Sequence, residues 1–171
     1  IGRPNVGKTS IFNKLTVINN IIHKEEGTTR DWHKSKIKGL NHSIIYDSPG
    51  VIFTNKKLKE INFSKLLQTI NVFLYVIDLK NKNDYYDKES INELRKYNKK
   101  IILIINKDDN YEQNLIISKS GYDNLFYISC SHNLGFDKLY TYFENNDLGS
   151  ENDHVFDYSI AIYGKPNAGK S

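Results

Sequence analysis

The chain has one cysteine and no methionine among 171 residues. A single cysteine excludes a disulfide framework within the chain and suits a reducing compartment. Long apolar runs are also missing. The longest, Val72 to Ile77 and Ile101 to Ile105, are far too short to span a bilayer. Arginine appears only three times, and no tight Lys/Arg stripe marks a nucleic-acid face. His132 and His154 are too scattered for a metal site. With no methionine and an opening Ile1, the true N-terminus is expected upstream. A leader peptide is neither visible nor excluded.

What is present is globular: 39% apolar and 26% charged residues, with 24 basic against 20 acidic. The net charge of +4 comes with 21 Asn, 21 Lys and 22 Ile. That bias is read as the imprint of an AT-rich genome rather than a dedicated nucleic-acid surface. Strand patterns rich in Ile, Val, Phe and Tyr fall at 42–47, 72–78, 101–106 and 126–129. A more polar alternating strand, 32–40, joins the first of these through a turn at Gly39 to Asn41. Helical patterns fall between them, at 10–19, 58–70, 87–97, 112–119 and 136–144. Continuous apolar strands suggest a sheet covered on both faces. The order predicts an α/β domain: a mostly parallel sheet, one antiparallel edge strand, and helices on both faces.

Residues 2–9 read GRPNVGKT and fit the phosphate-loop pattern. Glycines there let backbone N–H groups curl around phosphate oxygens. Lys8 supplies a point charge, and the Thr9 hydroxyl suits Mg²⁺. The helix that follows aims its positive end at the anion. Residues 164–171 repeat the pattern as GKPNAGKS, identical at five of eight positions and 162 residues further on. An apolar strand, 158–163, leads into it. The repeat predicts three parts. Residues 1–147 form one nucleotide-binding domain lacking most of its first strand. Residues 148–157 are a linker. Residues 158–171 are the first strand and phosphate loop of a second, truncated domain.

Further motifs follow the first loop in order. DSPG, Asp47 to Gly50, closes an apolar strand 38 residues after Thr9. Its Asp can hold Mg²⁺ through water, and the Gly50 N–H can sense a γ-phosphate. NKDD, Asn106 to Asp109, follows a strand and suits a guanine reader. Asp109 can accept from both the ring N–H and the exocyclic amine, Lys107 can pack on the base, and Asn106 can brace the loop. SCS at 129–131 can offer a backbone N–H to the guanine oxygen. GTTRD at 27–31 carries Thr28 and Thr29, either of which can close over Mg²⁺.

With these five motifs in order, the chain resembles the Der (EngA) family of tandem-domain GTPases, within the Era/TrmE/Der group. The likeness covers essentially the whole chain. It implies a P-loop G domain that hydrolyses GTP to GDP with Mg²⁺, and a role in assembling the large ribosomal subunit. It implies a pre-ribosomal particle or ribosomal RNA as partner, no membrane, a monomer, and a bacterial cytoplasm or an organelle. Residue by residue it implies nucleotide contacts at Asn5, Val6, Gly7, Lys8, Thr9, Ser10, Asp47, Gly50, Asn106, Lys107, Asp109, Ser129 and Cys130. In the second loop it implies Gly164, Asn167, Gly169, Lys170 and Ser171. Thr9, Thr29 and Asp47 are the implied Mg²⁺ residues, and Lys8, Thr29, Gly50 and Asn5 the implied catalytic ones. Asn5 and Asn167 match an asparagine that helps hold K⁺ in relatives. Val51 stands where glutamine would orient the attacking water, so intrinsic turnover is expected to be slow and K⁺-stimulated. DSPG in place of DTAG or DTGG, and SCS in place of SA-x, depart from the family pattern. Two alternatives remain: a TrmE-like tRNA-modification GTPase, and a nucleotide-stabilised scaffold with little turnover.

Overall fold

The computed structural model describes residues 1–3, 5–17, 21–23, 32–48, 66–78, 84–107, 122–146 and 158–162. Its strands are β1 (Ile21–His23), β2 (Trp32–Ile37), β3 (Leu40–Asp47), β4 (Val72–Asp78), β5 (Lys100–Asn106), β6 (Asn124–Tyr127) and β7 (Tyr158–Ile162). Its helices are α1 (Lys8–Leu15), α2 (Asp84–Arg95) and α3 (Phe136–Asn145). Residues 66–69 form a further helical turn.

All seven strands form one sheet, in the order β1-β2-β3-β7-β4-β5-β6. β3, β7, β4, β5 and β6 run parallel, and β2 is antiparallel to both of its neighbours. The antiparallel strand expected at the edge is therefore second from it, because the short β1 adds outside. No strand is expected at β1 from its pattern, since it has only three residues.

The apolar runs of β4 and β5 are continuous because both faces of these strands are covered. Their side chains alternate between two cores. Leu74, Val76, Ile102 and Ile104 pack with Ile11, Phe12 and Leu15 of α1 and Leu139 and Phe143 of α3. Phe73, Tyr75, Ile101, Leu103 and Ile105 pack with Ile91 and Leu94 of α2 and with Leu67 and Ile70. Helices thus cover both faces, as the strand patterns predict.

Boundaries differ for local reasons. α1 ends at Leu15 rather than 19, because Thr16 is drawn into a β-bridge with Ile37. β6 runs from Asn124 to Tyr127, the stretch in register with Ile102 to Ile105 of β5. Ser129 leaves that ladder for a bridge with Leu134. The helix patterned over 112–119, and most of that over 58–70, lie outside the described residues.

β7 fills the position between β3 and β4. It pairs with Ser43–Asp47 on one side and Val72–Leu74 on the other. The main chain of Ile1 continues the same row: its N–H donates to the Leu74 carbonyl at 2.6 Å, and its carbonyl accepts from Val76 N–H. β7 therefore ends, and the first phosphate loop starts, in one row at the C-terminal end of the parallel strands. That is where open α/β sheets bind ligands.

Candidate functional site

The first phosphate loop leaves Ile1 beside β4 and enters α1. Gly2 passes so close to the sheet that a Cβ would lie 2.0 Å from the Val76 carbonyl oxygen, and its φ is +152°. Asn5 adopts φ +62° and Gly7 φ +90°, so the loop turns through the left-handed region twice before the helix starts. Asparagine is one of the few side-chain-bearing residues that accept this conformation readily. α1 has no acidic residue of its own in its first turn to offset its positive end.

Lys8 is 3% exposed, and its Nζ donates to the Arg3 carbonyl at 2.6 Å. Burial lowers its pKa to about 8, opposed by the nearby Asp47 carboxylate. The Thr9 hydroxyl donates to Asp47 Oδ2 at 2.8 Å. Asp47 sits at the C-terminal end of β3 and is 6% exposed. Burial raises its pKa, while the Thr9 hydrogen bond and the Lys8 charge pull it down. Its Oδ1 is buried without a hydrogen-bond partner. An orphaned carboxylate oxygen beside a hydroxyl fits a hard cation, which takes oxygen ligands.

The other half of the site is built on Asn106, 2% exposed at the end of β5. Its Nδ2 donates to the Val6 carbonyl at 2.8 Å, and its Oδ1 accepts from Cys130 N–H at 3.3 Å. One side chain thus ties the phosphate loop to the loop after β6. Lys107 turns out of the strand at φ +65°, and its Nζ bonds Asp78 Oδ2 at 2.7 Å. Asp78 stands at the end of β4, in register with Asn106. Ser129 is fully buried, and its hydroxyl lies 3.0 Å from that of Ser131 and accepts from His132 N–H at 3.4 Å. The Cys130 thiol is pushed up to about 12 by burial, which makes it inert as a nucleophile at neutral pH.

The structure therefore brings Asn5, Val6, Gly7, Lys8, Thr9, Ser10 and Asp47 together on one side. Asn106, Lys107, Ser129 and Cys130 stand on the other. Thr29, Gly50, Asp109, Gly164, Asn167, Gly169, Lys170 and Ser171 lie outside the described residues. Among those described, no helix is long and apolar enough to cross a membrane. Sequence reasoning marked Asp78 and Asp87 only as positions after the fourth strand that look similar to the family, and missed their pairing with Lys107 and Arg3. For Asp78 a signal existed: it ends an apolar strand just as Asn106 does, so parallel pairing sets the two side by side.

Residues 1–107 match the family described as 50S ribosome-binding GTPase. The chain belongs to this family. It is similar to GTPase Der of Mycoplasma capricolum, 33% identical over 183 residues, covering all of this chain and 41% of that protein. GTPase Der of Clostridium kluyveri is 35% identical over 187 residues, again over all of this chain and 42% of that protein. The chain spans about two fifths of the length of these curated relatives. Among solved structures, the G domain of the T. maritima FeoB iron transporter matches with a TM-score of 0.64 at 22% identity. It covers 84% of this chain and 93% of that one. A GDP-bound S. thermophilus NFeoB mutant matches with a TM-score of 0.67 at 20% identity, covering 82% of this chain and 57% of that one. These two share the G-domain fold.

Proposed function

We propose that the chain is the nucleotide-binding part of a Der-type switch. In this reading it binds GTP, hydrolyses it slowly to GDP, and acts in assembly of the large ribosomal subunit. The carrying observation is Asn106, whose one side chain braces the phosphate loop at Val6 and the 129–131 loop at Cys130. A base-reading loop and a phosphate loop joined this way accept base and phosphates of one nucleotide as a unit.

In this reading backbone N–H groups of residues 5–10 cradle the phosphates, with the α1 N-terminus behind them. Lys8 leaves the Arg3 carbonyl for phosphate oxygens. Thr9 and Asp47, with Thr29, hold Mg²⁺, which neutralises developing phosphate charge when bound. Asp109 selects guanine, Lys107 flanks the base, and the Ser129–Cys130 backbone faces the guanine oxygen. Gly50 senses the γ-phosphate. Asn5 supplies an oxygen for K⁺. By the sequence repeat, residues 158–171 correspond to the start of a second G domain, with Gly164, Asn167, Gly169, Lys170 and Ser171 repeating the phosphate-loop roles, while β7 itself sits in the same sheet as β3 and β4. The likeness of β7 and Ile1 in the sheet supports the equivalence of the two strand–loop units. A pre-ribosomal particle or its RNA is the partner, met by a monomer in a bacterial cytoplasm.

The test is binding and turnover with GTP against ATP, in K⁺ against Na⁺. Selective GTP binding with faster hydrolysis in K⁺ is expected, and Asp109→Ala should erase the preference for GTP over ATP. Equal binding of ATP overturns the guanine reading. Selective binding without turnover in either salt points to a nucleotide-stabilised scaffold.

A pH dependence follows from Lys8. Burial lowers its pKa to about 8, and an anionic phosphate favours the ammonium form. Above pH 8, GDP binding should therefore take up protons and weaken as pH rises, read by calorimetry in buffers of different ionisation enthalpy. For folding the sign is opposite. The unfolded lysine holds its proton to higher pH, so this group's cost to the fold disappears as pH rises from about 8 toward 10.5.

A further inference from the structure

Beside the first phosphate loop, side chains from the loop, α2 and the middle of β4 meet in a buried polar cluster. Arg3 of the phosphate loop and Asp87 in the first turn of α2 form a two-pronged pair. Arg3 Nε lies 3.1 Å from each carboxylate oxygen, and an Nη lies 3.0 Å from Oδ2. The two side chains are only 15% and 12% exposed. From β4, the fully buried Tyr75 donates its hydroxyl to Asp87 Oδ1 at 2.8 Å. A planar guanidinium meeting a carboxylate through two N–H donors fixes direction as well as distance.

We propose that Asp87 is a positioning residue for nucleotide binding. It clamps Arg3 and so fixes the main-chain carbonyl on which the Lys8 ammonium rests. The inference rests on the guanine-nucleotide reading of this site. Two contacts leave Arg3 little freedom. On one side Gly2 is pressed against the Val76 carbonyl. On the other, the Arg3 carbonyl accepts from Lys8 Nζ at 2.6 Å. With the side chain also held, the loop keeps its curl when empty, and the nucleotide need not order it on arrival. Removing the carboxylate takes from a largely buried guanidinium the counter-charge that Asp87 supplies and lets the loop's first turn move. Asp87 reaches no reacting atom, so its effect falls on binding rather than on bond breaking.

The experiment is fluorescence titration with a labelled GDP, with steady-state GTP hydrolysis alongside, on the 171-residue chain. Asp87→Asn is expected to raise the GDP Kd and the KM for GTP about tenfold, while kcat stays within twofold. Asp87→Glu should recover most of the affinity. Tyr75→Phe keeps the ring in the core and should shift Kd the same way by a few-fold. It also serves if Asp87→Asn does not fold. In Arg3→Gln, adding Asp87→Asn should cost little more, because the clamp is already open. Unchanged Kd in folded Asp87→Asn, or a fall in kcat without a rise in KM, overturns the clamp. Failure of the unaltered chain to bind GDP overturns the nucleotide reading itself.

Discussion

Gly7→Ala is expected to lower guanine-nucleotide affinity at least about a hundredfold, to judge by the several kcal/mol at stake, and to weaken the fold. Gly7 sits at φ +90°, and an added Cβ would lie 2.1 Å from Asn106 Nδ2. Asn106 cannot step aside cheaply, since its amide bonds Val6 at 2.8 Å and its oxygen receives the Cys130 N–H. Left-handed backbone costs an alanine about 1–2 kcal/mol. An orphaned buried amide costs about 1–3 kcal/mol more. The sum, roughly 2–5 kcal/mol, is a large share of a small domain's stability. Gly39→Ala is the control. Gly39 shares a positive φ of +75°, but nothing lies within 4 Å of its added Cβ. It should lose about 1 kcal/mol to backbone strain alone, with GDP affinity unchanged. Urea unfolding and GDP titration on both variants decide the matter. If Gly7→Ala binds GDP within threefold of the unaltered chain, the Asn106 brace does not shape the loop.

The residues that carried most information in the sequence were those whose chemistry depends on local chain order. GRPNVGKT, DSPG and NKDD could be placed at turns, strand ends and a helix start because these are set by neighbours in the chain. The apolar runs of β4 and β5 likewise gave a doubly covered sheet. Long-range partners were harder to read. Asp87 lies 84 residues from Arg3, and its likeness to the family did not say which side chain it would meet once α2 packs on β4. Tyr75 reads as a core strand residue, which it is, and its hydroxyl finds Asp87 only in three dimensions. Strand β1 was invisible because three residues offer no period to count. The seat of β7 was also not legible. Its pattern announced a strand, but a pattern does not say which two neighbours a parallel strand will choose.

Removing β7 is expected to abolish cooperative folding of the chain. Tyr158–Ile162 pairs with Ser43–Asp47 and with Val72–Leu74, so it is a central strand bonded on both sides. A chain ending at Asp157 leaves those two strands facing an open row of unpaired N–H and C=O groups in the middle of the sheet. Each lost ladder bond is worth about 1 kcal/mol, and the buried groups left unpaired cost more. The total rivals the whole stability of a domain this size, about 5–15 kcal/mol. Ile160→Pro tests the same point with one residue. Ile160 lies in register with Ile45 on one side and Val72 on the other, and proline can donate no ladder bond. Both changes should give a broad, non-cooperative thermal transition and exposed apolar surface that binds a hydrophobic dye. The site would suffer with the fold, since β3 and β4 carry Asp47 and Asp78 to the nucleotide end of the sheet. A sharp transition at the unaltered midpoint in both variants would show that β3 and β4 hold together without this strand.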